Sequence, residues 1–148
     1  MDGRPDLAAM ITVLGRGLIA MEQPVLREHD LTMWAYAVLL RLDEEPLRTQ
    51  SALARSIGAD KTRLIGVLDD LQERGLIQRE ADPNDRRVHL LSLTKRGRAL
   101  RESTQRGIRE RETRLLARLP ATQRRAFLHA LHALYSLPPE EVSGAEKV

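Results

Sequence analysis

The chain contains no cysteine. That excludes a disulfide framework, a thiolate zinc site and any thiol-based redox sensor. Aromatic residues are nearly as scarce: Trp34, Tyr36, Phe127 and Tyr135 are all there are in 148 residues. Core bulk must therefore come mostly from aliphatic side chains. Lysine occurs three times against 21 arginines, a bias that a GC-rich coding sequence explains more simply than selection for guanidinium chemistry. Long hydrophobic runs are missing too. The longest unbroken one, Met33–Leu40, has eight residues, whereas a membrane-spanning helix needs about 18 or more. The opening Met1-Asp2-Gly3-Arg4-Pro5-Asp6 is too polar and acidic for a signal peptide. A cytoplasmic globular protein of about one domain is expected. Nor is there a Gly-rich phosphate loop, a nucleophile elbow or a zinc-hydrolase helix, so no enzyme and no cofactor is expected. His129 and His132 lie three apart without a carboxylate or thiolate cluster, and no metal site is assigned to them.

What is present is an uneven charge distribution. The formal net charge of +3 divides into −4 over residues 1–47, +7 over 48–118 and 0 over 119–148. A basic middle is hidden by an acidic start. Such a block is the electrostatic footprint of a partner for polyanions, although a solvated helix face gives the same composition.

Periodicity supplies the elements. Leu7, Ile11, Leu14, Leu18, Met21 and Val25 follow a 4-3-4-3-4 spacing, the seam of a coiled-coil-like helix over about 5–27. Thr32 caps a second helix, 33–43, which Pro46 stops. Leu47-Arg48 suits a very short strand. Thr49 caps a third helix, 50–57, ended by Gly58. Asp60 caps a fourth, 61–74, ended by Gly75. Residues 76–81 and 87–93 have strand character around a turn-rich Asp82-Pro83-Asn84-Asp85-Arg86-Arg87, which predicts a hairpin with a charged tip. Thr94 caps a long fifth helix, 95–118, with Leu100, Ile108, Leu115 and Leu119 on one side. Pro120 breaks it, and a sixth helix covers about 121–136. Residues 138–148 are polar and are expected to fray. The fold class is thus mainly α with a small β-hairpin wing: a winged helix-turn-helix with six helices.

The helix-turn-helix is supported by Ala54, a small residue at the close approach, by Gly58 at the turn, and by Leu53, Ile57, Ala59, Leu64 and Val67 at inward positions. Any αα-hairpin would share part of this pattern; the adjoining wing favours DNA binding. The first turn of the recognition helix, Lys61-Thr62-Arg63, would reach the major groove, with Arg63 suited to pairing with guanine. Asp60 fits a cap better than a DNA contact. Ser51 joins the expected DNA-binding set. At the wing, Arg86 and Arg87 suit a narrow, electronegative minor groove. Asp85 is expected to brace one of them by a charged hydrogen bond while the other points at DNA.

Three stretches carry a family resemblance. Leu53-Ala54-Arg55-Ser56-Ile57-Gly58-Ala59-Asp60, Leu68-Asp69-Asp70-Leu71-Gln72-Glu73-Arg74-Gly75-Leu76-Ile77-Gln78-Arg79, and Asp82-Pro83-Asn84-Asp85-Arg86-Arg87 with Leu91-Ser92-Leu93-Thr94 and Gly97 resemble the multiple-antibiotic-resistance regulator (MarR) family, the wing most specifically. The resemblance covers roughly residues 7–137. It implies a single domain, with a DNA-binding lobe at about 30–100, a dimerisation lobe at about 5–27 and 101–137, and a flexible tail at 138–148. It further implies a homodimer with interlocked terminal helices, two winged helices on one imperfectly palindromic operator, and a crevice lined by the first, second and fifth helices. Members of the family often bind phenolic or other aromatic anions there and release DNA. The chain departs from the pattern at Ile65-Gly66, where polar or basic residues are usual, and at Ala52, where a glutamate would complete a capping box with Thr49. Lacking cysteine, it cannot use the mechanism of the peroxide-sensing branch.

For an effector, the candidates are Arg16, Met33, Trp34 and Tyr36. Trp34 and Tyr36 are two residues apart on a helix and cannot face the same side. Arg16, beside the apolar seam, could pair with a carboxylate, although a surface arginine or an intersubunit ion pair is the simpler reading. The expected function is a repressor released from its operator by a small aromatic or anionic effector. The alternative is a winged-helix module for protein–protein contact without ligand response.

Overall fold

Four side-chain oxygens set where helices begin. Thr32 Oγ1 accepts from Ala35 N at 3.1 Å, Thr49 Oγ1 from Ala52 N at 3.1 Å, Asp60 Oδ1 from Arg63 N at 2.8 Å and Thr94 Oγ1 from Gly97 N at 3.0 Å. Each satisfies one amide that a helix start leaves without an intrahelical acceptor. Thr49 thus keeps its half of the capping box without the glutamate.

The computed structural model describes residues 3–43 and 48–144. Within them run α1 (Leu7–Glu28), α2 (Met33–Arg41), β1 (Arg48–Thr49), α3 (Gln50–Ile57), α4 (Lys61–Glu73), β2 (Ile77–Asp82), β3 (Asp85–Leu93), α5 (Lys95–Leu116), α6 (Ala121–Tyr135) and α7 (Pro139–Ser143). Pro46 and Leu47, read above as a helix stop and the start of a strand, lie outside the described residues. The three strands form one antiparallel sheet in the order β1-β3-β2. Ile77 pairs with Leu93 and Glu80 with Leu90, and a bulge falls between Ala81 and Asp82. Pairing reaches Asp82 and Asp85, so the turn is shorter than the six turn-forming residues suggested: a ladder hydrogen bond decides a strand's end, and composition does not report it.

The chain divides into two compact units, Met1–Ile108 and Arg109–Val148. In the first, α2, α3, α4 and the sheet surround a core of Leu39, Leu53, Leu68, Leu71 and Leu91, all fully enclosed. From α1 only Val25 and Leu26 enter it. α5 is fastened to α2 by Arg101, whose Nη1 donates to the carbonyls of Leu39 (3.3 Å) and Leu42 (2.8 Å) at the end of α2. His29, following α1, donates from Nδ1 to the Val25 carbonyl at 2.8 Å, and its Nε2 lies 3.1 Å from Ser103 Oγ on α5.

In the second unit Arg124 of α6 donates to the Leu116 and Leu119 carbonyls, both at 3.1 Å, closing the C-terminal end of α5. No residue of α6 is buried within the chain. Of the residues expected on one side of the fifth helix, Ile108 is buried and Leu115 is exposed. The helix α7 is a seventh where six were expected, and it occupies part of the stretch read as frayed. Pro139 pre-sets the first turn, Glu140 and Glu141 favour the positive end of the helix, and Gly144 ends it at φ +69°.

By length and composition alone, α1 is apolar enough to cross a membrane, which the unbroken-run criterion did not register. Arg16 near its middle and the regular seam suit a protein partner better.

Candidate nucleic-acid interface

α3 and α4 meet at a turn that glycine makes possible. Gly58 adopts φ +68°, and its amide and that of Ala59 both close on the Ala54 carbonyl. Ala54 is buried there. Leu64, Leu68 and Leu71 turn α4's inner side into the core, leaving Lys61, Thr62, Arg63, Ile65 and Gly66 exposed. The first turn of α4 is therefore fixed by Asp60 from below and open to solvent above. Asp60 is a cap, as its chemistry suggested.

Arg63 is oriented by a neighbour from α2. Its guanidinium carbon stands 5.8 Å from the centroid of the Trp34 ring, within the range of cation–π attraction. The four effector candidates thus have different surroundings. Trp34 lies against the recognition helix, Tyr36 is buried in the core, and Met33 and Arg16 are exposed. Trp34 and Tyr36 do face different sides.

The wing is tied to α4 by Arg79 of β2, which donates to Asp69 Oδ1 and Gln72 Oε1. Arg74 pairs with Asp70 at 3.5 Å and donates to the Asp30 carbonyl at 2.9 Å. Two arginines of the basic block thereby offset two carboxylates on the C-terminal half of α4. Residues 48–94 carry a net charge of only +1 and residues 95–118 carry +6, so the excess of the basic block lies mainly on α5, and the interface depends on where its individual cations stand. The residue classes hid this division, because Arg79 and Arg74 look like Arg86 and Arg87 until their partners are known.

At the tip, Asp82 Oδ1 accepts from Asn84 N at 2.9 Å. Asp85 Oδ1 accepts twice from Arg87, from its backbone N at 3.1 Å and its Nε at 3.3 Å. The Arg87 side chain remains 93% exposed: it is held in direction yet open to solvent. The Arg86 side chain is exposed and, among the described residues, makes no hydrogen bond or ion pair. Arg87 lines an open cleft of about 230 Å³ together with Ser51, Lys61, Ile65 and His89. The structure thus gathers Ser51, Lys61 and Arg87 on one face, with Thr62 and Arg63 on the adjoining first turn. Sequence reasoning missed His89 and the exposure of Ile65; the period of two along β3 was the available signal for His89. No group of three or more metal-binding side chains occurs among the described residues.

A helix-turn-helix followed directly by an antiparallel hairpin defines a winged helix-turn-helix. Comparison with known proteins assigns it further. The MarR family model matches residues 31–89. The HTH-type transcriptional repressor Rv2887 of Mycobacterium tuberculosis is 30% identical over 133 residues, covering 90% of this chain and 85% of the relative. The chain belongs to the MarR family. The crystal structure of Rv2887 in complex with p-aminosalicylic acid matches at a TM-score of 0.75 and 29% identity, over 89% of this chain and all of the other. The transcriptional repressor CouR, bound to a 23-mer DNA duplex, matches at a TM-score of 0.74 and 30% identity, over 88% of this chain and 92% of the other.

Proposed function

We propose that the protein is a dimeric, sequence-specific transcriptional repressor that leaves its operator when a small aromatic or anionic effector binds. The observation that carries this reading is the convergence of Ser51, Lys61 and Arg87 on one exposed face, the first turn of α4 beside them and Arg87 braced by Asp85. α4 enters the major groove, where Lys61, Thr62 and Arg63 meet base edges and phosphates. Arg87 enters the adjoining minor groove. Its brace lowers the conformational entropy lost on insertion, and the bracing and DNA-facing roles fall on the same arginine. Arg86 contacts the phosphate backbone.

The exposed apolar residues of α1 (Leu7, Ile11, Leu14) and, separately, of α6 (Phe127, Leu128, Leu131) are the faces of a homodimer. Residues of about 30–100 form the DNA-binding lobe and the terminal helices the dimerisation lobe. A two-fold dimer sets two recognition helices about one DNA turn apart. The complex of Rv2887 with p-aminosalicylic acid favours an aromatic carboxylate as effector, with Arg16 as its cationic partner. The regulator works as a soluble DNA-binding protein of the cytoplasm, without catalysis or cofactor.

Selection of bound duplexes from a random pool tests this. A single enriched site with two-fold symmetry and half-sites about 10 base pairs apart is expected. Enrichment of no site contradicts it and leaves the protein–protein module as the better reading.

A further inference from the structure

Ile65 and Gly66 stand on the solvent side of α4, and the fold uses neither. Ile65 is 47% exposed, while Leu64, Leu68 and Leu71 fill the core side of the same helix. A Cβ placed on Gly66 would meet nothing within 4 Å, and its backbone is not left-handed. Internal packing and backbone geometry therefore give no reason for glycine, which weakens a helix interior relative to alanine. A partner that approaches this face of α4 closely can use the missing side chain. Ile65 moreover lines the cleft shared by Lys61, Arg87, Ser51 and His89. An aliphatic group among cations offers a phosphate nothing. In the major groove it has one complementary feature, the C5-methyl group of thymine.

We infer that Ile65 is a specificity-determining residue that reads a thymine methyl, and that Gly66 is bare so that the groove wall approaches α4 closely. This rests on the reading of α4 as a recognition helix. It assigns an apolar contact where the family pattern has polar or basic residues, and it makes thymine, not only guanine, part of the operator's code. Cations at Lys61 and Arg86 fix the register on the backbone, and Ile65 reports the base.

The test uses the full chain and the duplex enriched from the random pool, resynthesised with each thymine replaced singly by deoxyuridine. That exchange removes only the methyl group and leaves every hydrogen-bonding edge intact. At one thymine in each half-site, the wild-type protein is expected to lose affinity on the order of fourfold, the worth of one buried methyl group. Ile65→Ala loses nothing further at that position and keeps the wild-type salt dependence. Uracil tolerated everywhere by the wild type, or a loss that persists in Ile65→Ala, overturns the assignment while leaving DNA binding in place. Failure to enrich any duplex removes the DNA reading, and this inference with it. Gly66→Ala is expected to raise the melting temperature and weaken duplex binding; a rise without weaker binding overturns the role of Gly66.

Discussion

Within the proposed DNA-facing set, Arg63 is directed by the face of Trp34 and Arg87 by Asp85. Their exposure makes each interaction modest, about 0.5–1 kcal/mol for a stacked guanidinium at a surface site. The benefit lies in orientation. Arg87→Ala is expected to weaken operator binding more than tenfold in a fluorescence-anisotropy titration. Asp85→Ala should cost less, since the arginine remains but loses its guide, and Arg86→Ala should also cost less. A larger loss for Arg86→Ala than for Arg87→Ala would reverse their roles. Because Trp34 is the sole tryptophan, its emission reports the stack. Arg63→Ala should change that emission in the free protein, and an identical spectrum would show that the stack does not form in solution.

Among the elements, the contact of α5 with the strap between α4 and β2 leaves the least room. A Cβ on Gly97 would overlap the Leu76 carbonyl and press on the Leu93 side chain. Gly97→Ala should therefore destabilise by about 1–3 kcal/mol in denaturant unfolding, the usual cost of overpacking, despite alanine's better helix propensity. A variant as stable as wild type would contradict the packing described. The elements themselves were largely legible. Thr32, Thr49, Asp60 and Thr94 announce their helices because capping is local, and Gly58 and Gly75 end theirs for the same reason. The hairpin was legible through the charged turn between two β-patterned runs. Trp34 was not, because the phase of a nine-residue helix against a neighbour depends on tertiary packing. The duties of Arg74, Arg79 and Arg101 were also hidden, since their partners lie between 4 and 62 residues away.

For the whole molecule, the question is what covers α1 and α6. Leu7, Ile11 and Leu14 form a regular seam that the chain itself does not bury. A dimer predicts that Ile11→Glu with Leu14→Glu yields monomers in sedimentation and lowers the melting temperature, and that the wild-type melting temperature rises with protein concentration. Monomeric wild-type protein at micromolar concentration would contradict the seam's assignment. In the proposed dimer two copies of the basic face would meet one duplex, doubling the phosphate contacts without any new residue. The net charge of +3 predicts none of this; the positions of Lys61, Arg63, Arg86 and Arg87 do. The most direct test is therefore the salt dependence of binding to the selected duplex. Each neutralised phosphate contributes about −0.9 to the slope of log affinity against log salt. A dimer using these cations should give a slope of roughly −4 to −7, reduced when Lys61 is replaced by alanine. A flat slope, or no binding at low salt, would contradict the account.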